Sequence, residues 1–267
     1  MPRASSPAPG DAWNRHWDAY AATNALNPAQ AYRRKLIFER LGLDGISGAH
    51  VLELGTGPGE LSSELATRFP TAELLGLDIS RSGLAVAAQK VPSATFIEQD
   101  FMQPFTLPGR FSGWATHAIC SEVLEHVEDP ERVLANARRC LAPGARVVIT
   151  VPAGPRSAFD RHIGHRRHFT VKSLSALITG AGLEVESLHA AGFPFFNLYR
   201  LVVVARGRKL IDDVDTKGPL PLTARLAMRA FSRLFELNHG APRWGWQLVA
   251  VAREPEPRAS SRGAELP

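Results

Sequence analysis

A glycine-rich turn is the first feature of the sequence that can do chemistry. Residues 53–59 have the sequence Glu-Leu-Gly-Thr-Gly-Pro-Gly and lie between a predicted strand and a predicted helix. We expect Gly55 to let the chain turn, Gly57 to let backbone N–H groups approach a ligand, and Gly59 to let the helix pack closely on the sheet. A dinucleotide fingerprint needs glycine at position 60, where Glu60 would place a negative charge near the pyrophosphate. The turn therefore favours a nucleoside-like ligand that lacks phosphates.

Carboxylates follow at the ends of the next two predicted strands. Asp78 ends the strand after the turn, and its carboxylate can accept hydrogen bonds from both hydroxyls of a ribose. One strand later, Asp100 can accept from an exocyclic amine while the ring of Phe101 covers a face of adenine. Because open parallel sheets bind ligands at the carboxyl ends of their strands, we expect these residues to share one edge with the glycine turn.

The order of these motifs resembles the class I S-adenosylmethionine-dependent methyltransferases. Residues 51–59 resemble the first motif of that family, Asp78 its ribose-binding acid, and residues 99–101 its adenine-contacting element. Residues 121–127, Ser-Glu-Val-Leu-Glu-His-Val, are similar to a segment of the small-molecule branch, which includes ubiquinone and menaquinone biosynthesis methyltransferases. Residues 141–144, Leu-Ala-Pro-Gly, are similar to the helix exit that is usual in the family.

The resemblance covers Leu36 to Arg253 and implies that the cofactor is S-adenosylmethionine. In the family, the residue that matches Glu53 helps to hold the amino-acid end of the cofactor, and the residue that matches Ser121 lies near its methionyl part. The cofactor-binding residues implied in this way are Glu53, Gly55, Thr56, Gly57, Gly59, Asp78, Ile79, Asp100, Phe101 and Ser121. The alternative is a Rossmann-like domain that binds another nucleotide or has lost its activity.

Histidines offer the base that methyl transfer to a hydroxyl or a protonated amine requires. Because the transfer is an in-line displacement, the protein chiefly aligns the acceptor, excludes water and removes a proton. The candidates are His126, His162, His165 and His168. We predict that His126 and His165 are catalytic, since histidine titrates in the useful range. His126 follows the fourth predicted strand, and the alternative is that it only braces that loop.

The segment Asp160–Thr170 follows the fifth predicted strand and has the pattern Asp-x-x-x-Gly-His-x-Arg-x-Phe-Thr. It resembles a signature of one methyltransferase branch that is common in natural-product and glycan gene sets, which implies a substrate-side loop with His165 and Arg167 near the acceptor. The alternative is that Asp160, His165 and Arg167 hydrogen-bond one another and pin a long loop. Thr170 is expected to cap the helix that follows.

The histidines of this segment also suggest a metal site. His162, His165 and His168 are spaced i, i+3 and i+6, and helical positions with that spacing diverge around the axis. Because nothing nearby offers a thiolate or a clear second shell, we expect no metal.

Residues 192–244 depart from the alternation of strands and helices, and we interpret them as a helical insertion that acts as a lid. An apolar acceptor pocket could be lined by Phe193, Phe195, Phe196 and Tyr199. The predicted substrate residues are Asp160, Arg167, Phe195 and Tyr199. The alternative is packing on the domain's own core, which we favour for residues 222–237. A basic stripe in that helix, either solvated or attached to anionic lipid, consists of Arg225, Arg229 and Arg233.

The elements that must position these residues alternate between strand and helix. Strands are predicted at 50–54, 73–77, 94–98, 115–120, 146–151, 184–190 and 245–253. Helices are predicted at 12–43, 60–68, 82–90, 130–141, 171–181, 197–211 and 222–237. The alternation predicts an α/β, Rossmann-like fold with a mostly parallel seven-stranded sheet, helices on both faces and the insertion before the last strand.

The chain is expected to form one methyltransferase domain at 12–253, with a helical lead-in at 12–45 and disordered tails at 1–11 and 254–267. No signal peptide is predicted, and no apolar run approaches the roughly 18 residues of a membrane-spanning helix. The only cysteines, Cys120 and Cys140, are too few for a disulfide framework and fit a reducing cytoplasm. We therefore predict a cytoplasmic protein.

The charge balance favours anionic ligands without requiring nucleic acid. The chain has 31 lysines and arginines against 26 aspartates and glutamates, a net charge of +5. An Asn-Pro-Pro-aromatic motif for base-amino methylation is absent, and Cys120 has no adjacent proline for attack on a pyrimidine. We predict transfer of a methyl group to an oxygen or nitrogen of a small molecule, such as a natural product, a quinone-like compound or a glycan precursor. The alternatives are an RNA or protein substrate, and a non-catalytic scaffold that binds S-adenosylmethionine.

Overall fold

The computed structural model describes residues 27–207, 209, 222–238 and 243–257. The predicted tail at 1–11, the first part of the helical lead-in and most of the tail at 254–267 lie outside the described residues. The end of the helix predicted around 197–211 lies largely outside them as well.

The centre of the structure is a seven-stranded sheet with the strand order β3-β2-β1-β4-β5-β7-β6. The strands are β1 (His50–Leu54), β2 (Glu73–Asp78), β3 (Thr95–Glu98), β4 (Ala115–Ser121), β5 (Leu141–Pro152), β6 (Glu184–Ala191) and β7 (Gln247–Arg253). Strands β1 to β5 run parallel, whereas β7 is antiparallel to both β5 and β6. The predicted mostly parallel sheet is thus confirmed. Its order reverses between β1 and β4, and open sheets bind ligands at the carboxyl ends of strands at such a point.

Helices flank this sheet, and five of them begin at side-chain caps. They are α1 (Pro28–Leu41), α2 (Glu60–Arg68), α3 (Arg81–Lys90), α4 (Pro130–Ala137), α5 (Ala158–His162), α6 (Val171–Gly180), α7 (Phe195–Arg206) and α8 (Leu222–Leu234). The Asn27 side chain accepts from the backbone N–H of Ala29 at the start of α1. Thr170 accepts from the backbone N–H of Ser173, which confirms the predicted cap of α6.

Two cores lie on opposite faces of the sheet, because successive strand residues point to opposite sides. Leu52 and Leu54 belong to one core, which also holds apolar residues of α4 and α6. Val51 belongs to the other core, which holds residues of α1, α2 and α7. The helices therefore cover both faces, as predicted. Among the residues that the structure describes, no helix combines the length and the hydropathy that a transmembrane span needs.

One strand, one helix and one residue near the C-terminus differ from what the sequence predicted. Strand β5 begins at Leu141 rather than at residue 146, because Leu141 pairs with Ala115 across an irregularity in the ladder. The short helix α5 lies in a segment that we expected to be a loop. Glu254 was expected to start the disordered tail, but its carboxylate accepts hydrogen bonds from Arg138 at 2.7 and 2.6 Å.

Candidate functional site

The glycine turn between β1 and α2 requires glycine at two positions. Gly55 has a φ of +76°, and a Cβ there would lie 2.3 Å from Cγ2 of Val123, in the loop after β4. Gly59 has a φ of +79°, and its Cβ would lie 2.7 Å from that of Ala87 in α3. Gly59 therefore permits close packing against a neighbouring helix, whereas we had expected it to permit packing against the sheet. The loops after β1 and β4 meet at Gly55, where the strand order reverses.

Asp78 lies at the carboxyl end of β2 and is held by backbone donors. Its Oδ2 accepts from the N–H of Gly57 at 2.8 Å, and its Oδ1 accepts from the N–H of Ser80 at 2.8 Å. The Gly57 N–H, which we expected to face a ligand, thus orients this carboxylate instead. Burial raises the pKa of Asp78, although the N–H groups of Ser80 and Gly57 oppose the rise. Each carboxylate oxygen has a second lone pair, so the group can still accept from two ribose hydroxyls.

Glu53 lies at the buried end of β1, beneath the glycine turn. Its Oε2 accepts from the hydroxyl of Ser62 at 2.5 Å. Burial raises the pKa of Glu53 to about 8, with the Ser62 hydrogen bond opposing the rise. A cation beside this carboxyl would favour its ionised form. Glu53 therefore fits the amino-acid end of the expected cofactor.

The remaining predicted cofactor residues lie along the same edge. Asp100 Oδ1 accepts from the N–H of Met102 at 2.9 Å, so this carboxylate orders its own turn. Phe101 is buried and packs on Phe105 with ring centroids 6.0 Å apart. Other members of the set are buried Thr56, half-buried Ile79, and Ser121, whose hydroxyl lies 2.9 Å from that of Thr150. Their contacts with a cofactor stay predictions.

A chain of ring nitrogens orients His165. The Nδ1 of His168 lies 3.0 Å from the carbonyl oxygen of Gly154, so Nδ1 carries the proton and donates it. The Nε2 of His168 is then an acceptor, and it lies 3.2 Å from Nδ1 of His165. His165 must therefore donate through Nδ1, which leaves the lone pair on its Nε2. Its ring also meets His126 edge-on, with centroids 4.7 Å apart.

Glu125 is a functional candidate that lies within the motif at residues 121–127 and was assigned no role from the sequence. Its side chain is fully buried, and neither carboxyl oxygen has a hydrogen-bond partner in the described part of the chain. Its Oε1 lies 4.0 Å from Nε2 of His165. Burial, reinforced by the charge of Glu122, raises the pKa of Glu125 well above its ordinary value. A buried carboxyl without partners is costly, and such groups concentrate at functional sites.

The pKa of His165 moves in the opposite direction, to about 2, because burial disfavours the cation and His126 adds repulsion. Burial thus disfavours the charged form of both groups. Their nearest atoms, Oε1 of Glu125 and Nε2 of His165, lie 4.0 Å apart, which is beyond hydrogen-bond distance.

Asp160 is engaged by the protein rather than open to a ligand. Both terminal nitrogens of Arg200 donate to its carboxylate, at 3.0 and 2.8 Å, and the N–H of Ser157 donates at 2.6 Å. Burial opposes ionisation, but Arg200 outweighs it and holds the pKa of Asp160 well below its usual range. Asp160 thus joins α5 to α7. Arg200 was not among the residues predicted from the sequence; it is a buried cation on a helix of mainly apolar residues.

Arg167 supports the loop between β4 and α4. Its guanidinium donates to the carbonyl oxygens of Val127 and Glu128 at 3.1 and 2.7 Å. The pinned loop that we kept as an alternative is therefore present in another form, with Asp160 and Arg167 bonded to different partners. Contact of either residue with the acceptor stays a prediction without support from these distances.

The histidines converge differently from the spacing argument. His162 is exposed on α5, whereas His165 and His168 face inward together. Two sets of possible metal-ligating atoms each lie within 4.8 Å of one another: Glu125, His126 and His165, and Asp160, His165 and His168. His162 therefore diverges from the other two histidines, as expected, whereas the expectation was wrong for His165 and His168. In the second set, the guanidinium of Arg200 already occupies the Asp160 carboxylate and would repel a cation. The expectation of no metal stays a prediction.

A polar network closes the site on the side of α1. Glu122 has a φ of +56°, an uncommon conformation for a residue with a side chain. Its carboxylate lies 3.1 Å from Nε of Arg33 and accepts from Nε2 of Gln247 at 2.9 Å. These contacts tie α1 and β7 to the loop that holds Glu125.

The aromatic residues of the insertion form a cluster with α1. The ring of Tyr199 lies 5.3 Å from that of Phe231 and 5.7 Å from that of Phe235, and its hydroxyl lies 3.2 Å from Oδ1 of Asn27. Phe196 is fully buried in the same core. Core packing, the alternative we favoured for residues 222–237, holds for Phe235 and in part for Phe231, but it was wrong for the rest of this segment, because α8 has no fully buried residue and Leu222, Leu226 and Leu237 are exposed. A role for Phe195 and Tyr199 in an acceptor pocket stays a prediction.

The protein family described as "Methyltransferase domain" matches residues 28–188 of the chain. A trans-aconitate 2-methyltransferase of Deinococcus radiodurans is 29% identical over 207 residues, which are 72% of this chain and 78% of the relative. A ubiquinone biosynthesis O-methyltransferase of Pseudomonas aeruginosa is 28% identical over 219 residues, 76% of this chain and 88% of the relative.

The fold also matches solved structures. A phosphoethanolamine N-methyltransferase 2 of Haemonchus contortus in complex with S-adenosyl-L-methionine superposes with a TM-score of 0.64 and 18% identity. The match covers 94% of this chain and 61% of that chain. At this identity the likeness shows the fold alone.

Proposed function

The chain belongs to the class I S-adenosylmethionine-dependent methyltransferases, and from that premise we propose that it methylates an oxygen or nitrogen atom of a small molecule. S-adenosylmethionine is the cofactor and supplies an activated methyl group. The observation that carries the proposal is the approach of His165, a histidine of defined tautomer, to the buried carboxyl of Glu125, in the loop whose Val123 lies against Gly55 of the glycine turn.

The residues that would hold the cofactor lie at the ends of β1 and β2. Asp78 is oriented by two backbone N–H groups and has lone pairs left for the ribose hydroxyls. Glu53 offers a carboxyl that ionises beside an ammonium group. Gly55 and Gly59 let the turn pack against Val123 and Ala87, which holds its backbone at the strand ends.

The acceptor side contains the proton chemistry. An acceptor hydroxyl or protonated amine must lose a proton as the new bond forms, and Nε2 of His165 holds the lone pair that can take it. The pKa of His165 in the buried site is low, so the imidazolium needs a counter-charge. Ionised Glu125 at 4.0 Å would supply it, with its own proton passing to solvent when the positively charged cofactor binds. In this arrangement His165 is the base and Glu125 stabilises the cation that forms.

His126 and His168 have different parts in this proposal. His168 sets the tautomer of His165 through its acceptor nitrogen. His126, the other predicted catalytic histidine, contacts the His165 ring and would shape the acceptor's approach, alongside the predicted substrate residues of α7. Arg200 acts at a distance, because its pairing with Asp160 holds α5, and with it the histidine segment, against α7.

The names of the relatives support a small acceptor. One is named for trans-aconitate and the other for O-methyl transfer in ubiquinone biosynthesis. We further propose a single domain at 12–253, since the sheet runs from β1 to β7 at Arg253, and a cytoplasmic location, which the free cysteines Cys120 and Cys140 support. Specialised metabolism is the proposed setting because of the Asp160–Thr170 signature.

Labelled methyl transfer into a metabolite extract tests this function. The purified chain is incubated with S-adenosylmethionine that carries a deuterated methyl group, and the extract is analysed by mass spectrometry after size filtration. We expect label in a compound of the low-mass fraction, and we expect His165→Ala to abolish it. Label confined to RNA or protein would contradict the proposal, as would tight cofactor binding without turnover on any fraction.

A further inference from the structure

Helix α7 leaves three apolar side chains on its outward side and buries two polar ones, Asn197 and Arg200, beside the buried Phe196 and Val203. Leu198, Leu201 and Val202 are 47%, 49% and 42% exposed, whereas Asn197 and Arg200 are buried. The outward face of a surface helix in a globular protein usually carries charged or polar residues instead. The outward leucines thus form a face that the rest of the described chain does not cover.

The inward polar residues fix this orientation. Arg200 donates to both oxygens of Asp160, and Asn197 donates to the carbonyl of Trp244 at 2.6 Å and accepts from the N–H of Trp246 at 2.9 Å. Rotating the helix to bury its leucines would break all of these contacts, and a buried arginine without its partner is strongly unfavourable. The apolar face is therefore a stable feature of the fold.

Helix α8 adds a second outward face with the same character. It packs on α1 and α7 through Phe231, which contacts Tyr199. Leu222 and Leu226, one turn apart, are 69% and 54% exposed. They are flanked on the outer side of the helix by three arginines at the same helical spacing, Arg225, Arg229 and Arg233.

The insertion at 192–244 carries most of the exposed apolar side chains and an excess of positive charge. Seven of the ten large apolar side chains that are exposed in the described part of the chain lie between Phe193 and Trp244. The same stretch has nine lysines and arginines against four aspartates and glutamates in the sequence, a surplus equal to that of the whole chain. Three of the four acids, at positions 212, 213 and 215, lie outside the described residues.

We infer that the outward faces of α7 and α8 bind the surface of an anionic bilayer. Leucines of an interfacial helix enter the boundary between headgroups and acyl chains, while arginines beside them pair with lipid phosphates. A second copy of the chain fits this surface less well. In a two-fold symmetric dimer the same patch would meet itself, so the arginines of one copy would lie against those of the other and repel them. On α7 the exposed leucines lie opposite Arg200, which points to Asp160 in the histidine segment, so binding of lipid there does not depend on which acceptor is methylated.

Vesicle co-sedimentation of the full chain tests this inference. We expect binding to vesicles that contain phosphatidylglycerol and at least about tenfold weaker binding to pure phosphatidylcholine, with loss of binding at high salt. Leu201→Ser with Leu226→Ser should weaken binding at least about tenfold. The matched control is Ile46→Ser with Val171→Ser, two residues that are each 47% exposed elsewhere, and it should bind as the wild type does.

A second pair of variants keeps the test decisive if the serine variants fail to fold. Arg225→Gln with Arg229→Gln should reduce binding to the anionic vesicles at least about tenfold, while Arg132→Gln with Arg139→Gln should not. Absence of sedimentation with anionic vesicles would overturn the inference. So would equal binding of wild type and variants, or a dimer in analytical ultracentrifugation that dissociates when Leu201 and Leu226 are replaced.

Discussion

The Nε2 atom of His168 lies 3.2 Å from Nδ1 of His165, and this contact fixes which nitrogen of His165 carries a proton. The Gly154 carbonyl starts the chain by accepting from Nδ1 of His168. In this chain of hydrogen bonds His165 donates through Nδ1. The remaining lone pair is on Nε2 of His165, the nitrogen that faces Glu125. The backbone carbonyl of Gly154 thus sets the tautomer of His165 through His168.

Replacing His168 should lower turnover without weakening the cofactor. His168→Phe removes the acceptor that holds the His165 tautomer, so we expect kcat to fall about 10- to 100-fold with an unchanged dissociation constant for S-adenosylmethionine. His168→Gln, whose amide can still accept and donate, should recover part of the loss. The control is His162→Phe on the exposed side of α5. Equal losses in the Phe and Gln variants would show that His168 only fills space.

Removal of the base itself should have a larger effect. We expect His165→Ala to lower kcat about 100- to 10,000-fold and Glu125→Gln to lower it less, because glutamine keeps the shape but cannot become a counter-charge. Single-turnover kinetics with the identified acceptor measure this directly. If neither variant changes kcat while both bind the cofactor normally, the pair has no part in the proton transfer.

The buried pair of Asp160 and Arg200 should contribute to stability at neutral pH. Arg200→Met leaves a buried carboxylate without its partner, which should cost about 3–5 kcal/mol in urea unfolding. The double variant with Asp160→Asn should cost less than the sum of the single variants. Because the pKa of Asp160 is depressed in the folded state, the wild type keeps this contribution above the ordinary carboxyl range and loses it as the pH falls below about 4. Glu39→Gln, at an exposed ion pair, is the control, and additive losses would contradict the coupling.

The sheet and its ligand-binding edge were predictable from the sequence because local patterns dictate them. Alternating apolar strands and amphipathic helices imply parallel crossovers, and glycines in a strand-to-helix turn mark the edge. Thr170 was recognisable as a cap from its position alone.

The acceptor side was not predictable in the same way, because its contacts join residues far apart in the chain. Asp160 meets Arg200 across 40 positions, and Glu125 meets His165 across the same number. The short helix α5 had a usable signal, since Ser157 and Asp160 form a capping box three residues apart. The sequence signal for Arg200 was weaker: it is a single cation inside an apolar helical pattern.

Cofactor binding should release a proton from Glu53. The pKa of Glu53 lies at about 8 before binding, and an ammonium group beside it favours the ionised form. Below pH 7, the affinity for the cofactor should therefore increase about tenfold for each unit by which the pH rises, with close to one proton released per cofactor bound. Calorimetry in buffers of different ionisation enthalpy measures that proton, and Glu53→Gln should abolish its release. Binding without proton release in the wild type at pH 6 would exclude this carboxyl from the cofactor site.

The measurement that tests the central claim most directly is the calorimetric affinity of S-adenosylmethionine for the wild type and for Asp78→Asn, with Asp44→Asn on the exposed surface as the control. We predict that the wild type and the control bind alike, and that Asp78→Asn binds about 10- to 100-fold more weakly, since hydrogen bonds to the ribose lose a charged acceptor. Unchanged binding by a folded Asp78→Asn variant, or no binding by the folded wild type, would contradict the placement of the cofactor at the ends of β1 and β2.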